Sequence, residues 1–128
     1  MEPKPGRALL VEDSPDLSAL FVEQARVFTD GRLAVACAET LAEAIRMLRQ
    51  ARWDVVVVDL GLPDSSGYDT FAAIMAEAQG APVFVLSGRA DPAIAERTAR
   101  AGGAGFLLKG AAVGPDLFDR LMAASSRG

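Results

Sequence analysis

The feature that most constrains this chain is a fivefold alternation of short apolar runs with amphipathic helical patterns. The apolar runs do not alternate with polar residues, which is typical of parallel strands covered on both faces. Right-handed crossovers join such strands into a five-stranded parallel sheet, doubly wound with helices. We therefore predict an α/β fold of five βα units. The predicted strands span 7–11, 33–37, 54–59, 81–87 and 104–109, and the predicted helices span 15–28, 41–51, a segment marked by Phe71, Ile74, Met75 and Ala78, then 91–102 and 114–125.

The length of 128 residues suits one domain. We predict a single domain over 1–128, with residues 1–6 as a loose arm because they include two prolines and a glycine. The fourth predicted helix, 91–102, is rich in alanine and poor in large apolar residues. We expect it to be held less firmly than the other helices.

Composition excludes several classes of function. The chain has no histidine, which rules out a histidine-dependent triad, metal ligand or general base. The single Cys37 rules out an internal disulfide framework and a cysteine-rich zinc site. A net charge of −4 argues against nucleic-acid binding by this domain. No apolar stretch approaches the roughly 20 residues of a membrane span, and the N-terminus does not read as a signal peptide, so we expect a cytoplasmic protein.

Charged and hydroxyl side chains stand at the carboxyl ends of the predicted strands. In a doubly wound sheet the ligand site lies beyond those ends. Taken singly, each side chain also fits a plain role as a solvated turn, a helix cap or a surface charge. The residues are Glu12 and Asp13 after the first strand, Asp59 ending the third, Ser87 ending the fourth and Lys109 ending the fifth.

Taken together, these side chains point to phosphoryl chemistry. Two like charges about 4 Å apart repel each other by on the order of 1 to 4 kcal/mol. Packing of the core does not require the carboxylates to lie that close together. Three carboxylates suit Mg²⁺, which prefers hard oxygen ligands and keeps several waters. Lys109 adds a cation and Ser87 a hydroxyl donor, which completes a cradle for a phosphoryl group. Asp59 is the candidate nucleophile, held on the end of a stiff apolar strand.

Four segments, in order on the five βα units, carry a family resemblance: "VED", "VDLGLPDSSG", "VLSG" and "GFLLKG". With them the chain resembles the receiver domain of bacterial two-component response regulators from about residue 7 to 125. The resemblance implies the flavodoxin-like receiver fold. It also implies a phospho-accepting signalling domain that assists its own phosphorylation and dephosphorylation, rather than an enzyme.

The resemblance also implies roles for the acids. Asp59 would be the phosphoacceptor. Asp13 would bind Mg²⁺ directly, and Glu12 would act mainly through water. Gly61 would offer its backbone carbonyl to the metal.

A second set of roles concerns the response. Ser87 would hydrogen-bond the phosphoryl oxygen, Lys109 would pair with it, and Phe106 would turn inward when Ser87 moves. Phe106 fits a plain core position equally well. The output surface would be the fourth helix, fifth strand and fifth helix.

Two departures from the family pattern are Gly110, where many members have proline, and Phe106, where many have tyrosine. Arg89 flanks the site and would shield the phosphate or remain solvated.

The implied partners follow from the missing histidine, because the phosphoryl donor must come in trans. A histidine kinase or a histidine phosphotransfer protein would supply it, and a downstream protein or effector domain would receive the signal. The chain fits a stand-alone receiver, a protein regulated through homodimerisation, or a fragment of a larger regulator.

Three other functions are compatible with parts of the sequence. The main alternative is a non-phosphorylated interaction module on the same fold, which the intact acid, serine and lysine set argues against. A Mg²⁺-dependent phosphatase or phosphotransferase would need its nucleophile on the first strand in a D-x-D pattern, and "VEDSPD" does not supply one. A flavin-binding protein would need a phosphate loop after the first strand, and neither nucleotide fingerprint occurs in the right context.

Overall fold

A computed structural model describes residues 4–109 and 114–125 and shows the predicted α/β architecture. Five parallel strands form one sheet in the order β2-β1-β3-β6-β7, and β4 and β5 form a separate antiparallel pair. The predicted fourth and fifth strands of the sheet are thus β6 and β7. The strands are β1 Gly6–Val11, β2 Leu33–Ala38, β3 Val55–Asp59, β4 Gly61–Leu62, β5 Ser65–Ser66, β6 Val83–Ser87 and β7 Gly105–Leu108; the helices are α1 Pro15–Phe28, α2 Leu41–Gln50, α3 Tyr68–Glu77, α4 Pro92–Arg100 and α5 Pro115–Ser125.

The sheet separates two apolar layers. One layer includes Phe21 of α1 and Phe118 of α5, whose rings pack edge to face with centroids 5.1 Å apart. The other includes Leu48 of α2 and Phe71 of α3. Every residue of β3 is buried. The central strand therefore meets covered surfaces on both sides, which explains its unbroken run of valines and holds Asp59 on a rigid support.

Local signals set the helix starts. Ser14 caps α1 by accepting the backbone N–H of Leu17, with Pro15 in the first helical position. Thr40 caps α2 in the same way through the N–H of Glu43. Across the described ranges, no helix combines the length and apolar character needed to cross a bilayer.

The structure differs from the sequence prediction in two places that bear on the site. The arm was predicted to include Gly6, which instead begins β1, because its N–H donates to the Arg32 carbonyl at 2.8 Å beside β2. The "GLPDSSG" segment, which lies outside the predicted strands and helices, contains the two-residue strands β4 and β5. Strands that short carry no periodic signal. The other predicted element ends agree with the structure to within two residues, and both ends of α1 match.

Helix α4 has the lightest anchoring, as its composition suggested. Thr98 is its one buried residue. Outside the core, the Arg97 guanidinium carbon lies 3.7 Å from the centroid of the Tyr68 ring at the start of α3. This contact joins α4 to the segment that follows Asp59.

Candidate functional site

The parallel register of β1 and β3 brings three predicted acids together. Val11 pairs with Val58, so the residues that follow them, Glu12 and Asp59, stand side by side at the carboxyl edge of the sheet. Asp13 is next along the turn. One carboxylate oxygen from each acid lies within 4.8 Å of the other two. Glu12 and Asp59 are buried and Asp13 is exposed, so the cluster is open to solvent on one side.

Lys109 reaches the same cluster from the end of β7. Its Nζ lies 2.9 Å from Oδ2 of Asp59 and 3.1 Å from Oε2 of Glu12. Its backbone N–H donates to the Ser87 carbonyl at 2.8 Å, which ties the end of β7 to β6. Burial alone would lower the pKa of Lys109, but hydrogen bonds and charge attraction from Asp59 and Glu12 raise it above the ordinary value. Lys109 therefore stays protonated beside both acids.

Glu12 is the least exposed of the acids, at 1%. Its Oε1 accepts the Ser14 N–H at 3.2 Å and the Lys109 ammonium at 3.4 Å. Its Oε2 is close to Lys109 but has no hydrogen bond of acceptable geometry among the described residues. Burial raises the pKa of Glu12, the nearby Asp59 charge raises it further, and Lys109 opposes both. The single Lys109 ammonium therefore does not neutralise both buried carboxylates, those of Glu12 and Asp59.

The donor set fits a hard divalent cation. Three carboxylates meet at one edge, and Lys109 is the only cation that the described residues place against the two buried ones. Mg²⁺ prefers oxygen ligands and retains waters, for which the exposed Asp13 side leaves room. The acidic cluster could therefore hold a metal ion.

Gly61 lies beside Asp59 at the start of the hairpin formed by β4 and β5. Its backbone N–H donates to Oδ1 of Asp59 at 3.0 Å. With Lys109 on Oδ2, both oxygens of Asp59 have a donor. These contacts orient the carboxylate at the end of β3.

Ser87 ends β6 beside the cluster, and Phe106 lies one strand further along, opposite Val85; neither side chain forms a hydrogen bond with Asp59 among the described residues. The Ser87 hydroxyl donates to the Arg89 carbonyl at 2.8 Å and accepts the Arg89 N–H at 3.3 Å, so it is turned toward its own loop. The Arg89 side chain is exposed. Phe106 is half-buried and packs against the α2 and α3 layer of the core. Gly110, the predicted departure from the family pattern, lies outside the described residues.

Sequence reasoning missed Asp64, in the turn between β4 and β5. Its carboxylate accepts the backbone N–H groups of Leu41 and Ala42 at the start of α2. In sequence, an aspartate after proline in a loop is indistinguishable from an ordinary turn residue. Its partners are 22 and 23 residues away, so no local pattern identifies the contact.

Comparison with known proteins gives a consistent family match. The family model described as the response regulator receiver domain matches residues 8–121. The transcriptional regulatory protein GlrR of Escherichia coli is 33% identical over 109 residues, covering 85% of this chain and 24% of GlrR. The transcriptional regulatory protein KdpE of Mycobacterium tuberculosis is 36% identical over 102 residues, covering 79% of this chain and 43% of KdpE. The chain spans less than half the length of these two relatives.

Solved structures show the same fold. The non-phosphorylated HemR receiver domain of Leptospira biflexa is 31% identical, covers 94% of each chain and has a TM-score of 0.79. The receiver domain of the response regulator NarL from Mycobacterium tuberculosis is 24% identical and has a TM-score of 0.81, with coverage of 98% of this chain and 99% of that one. The predicted fold class is therefore confirmed.

Proposed function

This chain belongs to the response regulator receiver domain family, and we propose that it accepts a phosphoryl group on Asp59 from a histidine kinase or a histidine phosphotransfer protein. The observation that carries the proposal is the meeting of Glu12, Asp13 and Asp59, with Lys109 Nζ 2.9 Å from the Asp59 carboxylate. Carboxylates serve as covalent phosphoryl acceptors in other proteins. A signalling domain that receives a phosphoryl group, rather than an enzyme that turns over a separate substrate, fits this arrangement.

Asp59, Gly61 and Lys109 have separate roles in the proposed phosphoryl transfer. An Asp59 oxygen forms a bond to the phosphorus of a donor phosphohistidine as the nitrogen–phosphorus bond breaks, and the electron pair stays on the histidine nitrogen. Burial of the β3 strand and the Gly61 N–H hold the carboxylate in place before the donor arrives. Lys109 then pairs with a phosphoryl oxygen.

The proposed cofactor is Mg²⁺. The residues that would hold it are Asp13, Asp59 and the Gly61 carbonyl, with Glu12 acting mainly through water. When bound, the ion supplies positive charge for the phosphoryl oxygens. The presence of three carboxylates against one ammonium, among the described residues, supports this assignment.

The proposed response begins at Ser87. Phosphorylation adds a charge of about −1.5 to −2 at the sheet edge. The Ser87 hydroxyl exchanges its contacts with the Arg89 backbone for a phosphoryl oxygen, and Phe106 turns inward as the loop moves. The light anchoring of α4 supports a switch at the surface of α4, β7 and α5.

The partners we propose are a kinase or phosphotransfer protein on the input side and a downstream protein or effector domain on the output side. Homodimerisation through the switched surface is a further route for the signal. The domain is proposed to work in the cytoplasm, without direct contact to nucleic acid or membrane. Two matched relatives are named transcriptional regulatory proteins, which supports an output through an effector domain.

A labelling experiment tests the proposal. Wild type, Asp59→Asn and Asp119→Asn are incubated with Mg²⁺ and a small-molecule phosphodonor, and the phosphorylated peptide is mapped by mass spectrometry. Asp119 is an exposed aspartate of α5 and serves as the matched control. We expect labelling of wild type and Asp119→Asn at Asp59, and none of Asp59→Asn. Normal labelling of Asp59→Asn would show that the acceptor is assigned wrongly, and a wild-type chain that never labels would favour the non-phosphorylated interaction module.

A further inference from the structure

We propose that Asp64 is a positioning residue for the acceptor site, because it fixes the β4–β5 hairpin, and with it Gly61, against the start of α2. The inference rests on the proposed function, since the place of Gly61 matters to Mg²⁺ only if the ion binds beside Asp59. Among the described residues, Asp64 forms no hydrogen bond or ion pair with Asp59 or with the other two acids. It would act through the backbone of the hairpin.

The contact between Asp64 and α2 uses both carboxylate oxygens. Oδ1 accepts the Leu41 N–H at 2.9 Å, and Oδ2 accepts the Ala42 N–H at 3.1 Å. These are the first two N–H groups of the helix, which have no partner within it. The same two bonds hold the pKa of the Asp64 carboxyl below its ordinary value. The carboxylate is therefore charged at neutral pH and complements the positive end of the helix.

Packing contacts and hydrogen bonds of the β4–β5 hairpin connect Asp64 to Asp59. Leu62 of β4 is buried in the core layer of α2 and α3. The base of the hairpin is closed by the Gly67 N–H, which donates to the Leu60 carbonyl at 2.9 Å. Gly61 then donates to Asp59 at 3.0 Å. The hairpin thus has one end attached to the acceptor and its turn attached to α2.

Helix α2 already has a cap from its own sequence. Thr40 precedes the helix and accepts the Glu43 N–H at 3.1 Å. Thr40 and Asp64 both accept N–H groups of the first turn of α2. Among the described residues, the Thr40 side chain forms no hydrogen bond to the hairpin. Removing either side chain weakens the same helix end. Only the loss of Asp64 also releases the hairpin.

This difference provides the test. Four proteins are compared: wild type, Asp64→Ala, Asp64→Asn and Thr40→Ala. Stability is measured by chemical denaturation, Mg²⁺ affinity by calorimetric titration, and exchange of the Gly61 amide hydrogen by NMR in metal-free buffer. The exchange measurement reads the position of the hairpin without any metal.

We expect Asp64→Ala and Thr40→Ala to lower the denaturation midpoint by similar amounts. Only Asp64→Ala should speed exchange at Gly61 and weaken Mg²⁺ binding, by about threefold to tenfold, below the 10- to 100-fold loss typical when a side chain that supports a metal ligand is removed. Asp64→Asn keeps one of the two acceptor oxygens and should recover part of both effects.

Two results would overturn the inference, and they are distinguishable from each other. If wild type binds Mg²⁺ and the Asp64→Ala and Thr40→Ala variants match in exchange and affinity, Asp64 is only a helix cap and the proposed function stands. If wild type binds no Mg²⁺, the proposed function fails, and the positioning role fails with it.

Discussion

The ammonium of Lys109 lies 2.9 Å from Oδ2 of Asp59, although the two residues are 50 positions apart in the chain. The contact exists because β3 and β7 end at the same edge of the sheet, on either side of β6. It places the cation of the fifth βα unit on the carboxylate of the third. The proposed function needs this relationship, since the same ammonium would pair with the phosphoryl group on Asp59.

Lys109→Ala should separate acceptance of the phosphoryl group from the response to it. The acids remain, so we expect Asp59 still to be labelled by a small-molecule phosphodonor with Mg²⁺. Without the ammonium, the direct ion pair between the phosphoryl group and the end of β7 is lost, so amide NMR shifts in β7 and α5 should be largely lost. Lys109→Arg, which keeps the charge, is the control. A full set of shifts in Lys109→Ala would contradict the role given to this residue.

Glu12→Gln should stabilise the metal-free protein at neutral pH and weaken Mg²⁺ binding. The substitution keeps the shape of a buried side chain and removes a charge that burial and Asp59 disfavour. We expect a gain on the order of 1 kcal/mol in the free energy of unfolding at pH 7, because burial disfavours the charge that is removed while Lys109 keeps Asp59 as its partner. Denaturation in the presence of a chelator measures it, with Glu39→Gln, at an exposed position, as the control.

The same variant has a pH signature of definite sign. The pKa of Glu12 is raised above 4.5, so between that value and the folded pKa the native state binds more protons than the unfolded state. The contribution of Glu12 to stability therefore falls as pH rises through this window. The difference in free energy of unfolding between Glu12→Gln and wild type should therefore grow from about pH 4.5 upward. A stability difference that shrinks as pH rises would show that Lys109 outweighs burial and the Asp59 charge and lowers the pKa of Glu12.

Arg97→Gln should loosen α4. Its guanidinium lies over Tyr68, and the helix has a single buried residue, Thr98. A cation–π contact at an exposed site contributes about 0.5 to 1 kcal/mol. Amide hydrogens of α4 should therefore exchange severalfold faster than in wild type. Arg100→Gln, which removes an exposed pair with Glu96 in the same helix, is the control and should change exchange less. Equal effects would mean that helix propensity, not the Tyr68 contact, is measured.

The sheet could be predicted from the sequence because its strands are apolar throughout and its helices carry their own start signals. The run of valines before Asp59 and the Ser14–Pro15 pair are examples. The meeting of Glu12, Asp13 and Asp59 followed as well, because parallel strands deliver their carboxyl ends to one edge.

The rest depended on contacts between distant segments. The hairpin strands have two residues each, too few for a periodic pattern. The Asp64 carboxylate finds its donors in another βα unit. The orientation of the Ser87 hydroxyl toward Arg89 is set by the local turn and has no signature in the residue types. Such details emerge only when the chain is folded.

The most direct measurement is an amide NMR titration of wild type and Asp59→Asn with Mg²⁺ and beryllofluoride, which mimics a phosphoryl group on a carboxylate. We predict that wild type shows shifts at Gly61, Ser87 and Lys109 that extend into α4 and β7, and that Asp59→Asn shows none of them. Identical shifts in the two proteins, or no shifts in wild type, would contradict the claim that Asp59 is the acceptor at this edge of the sheet.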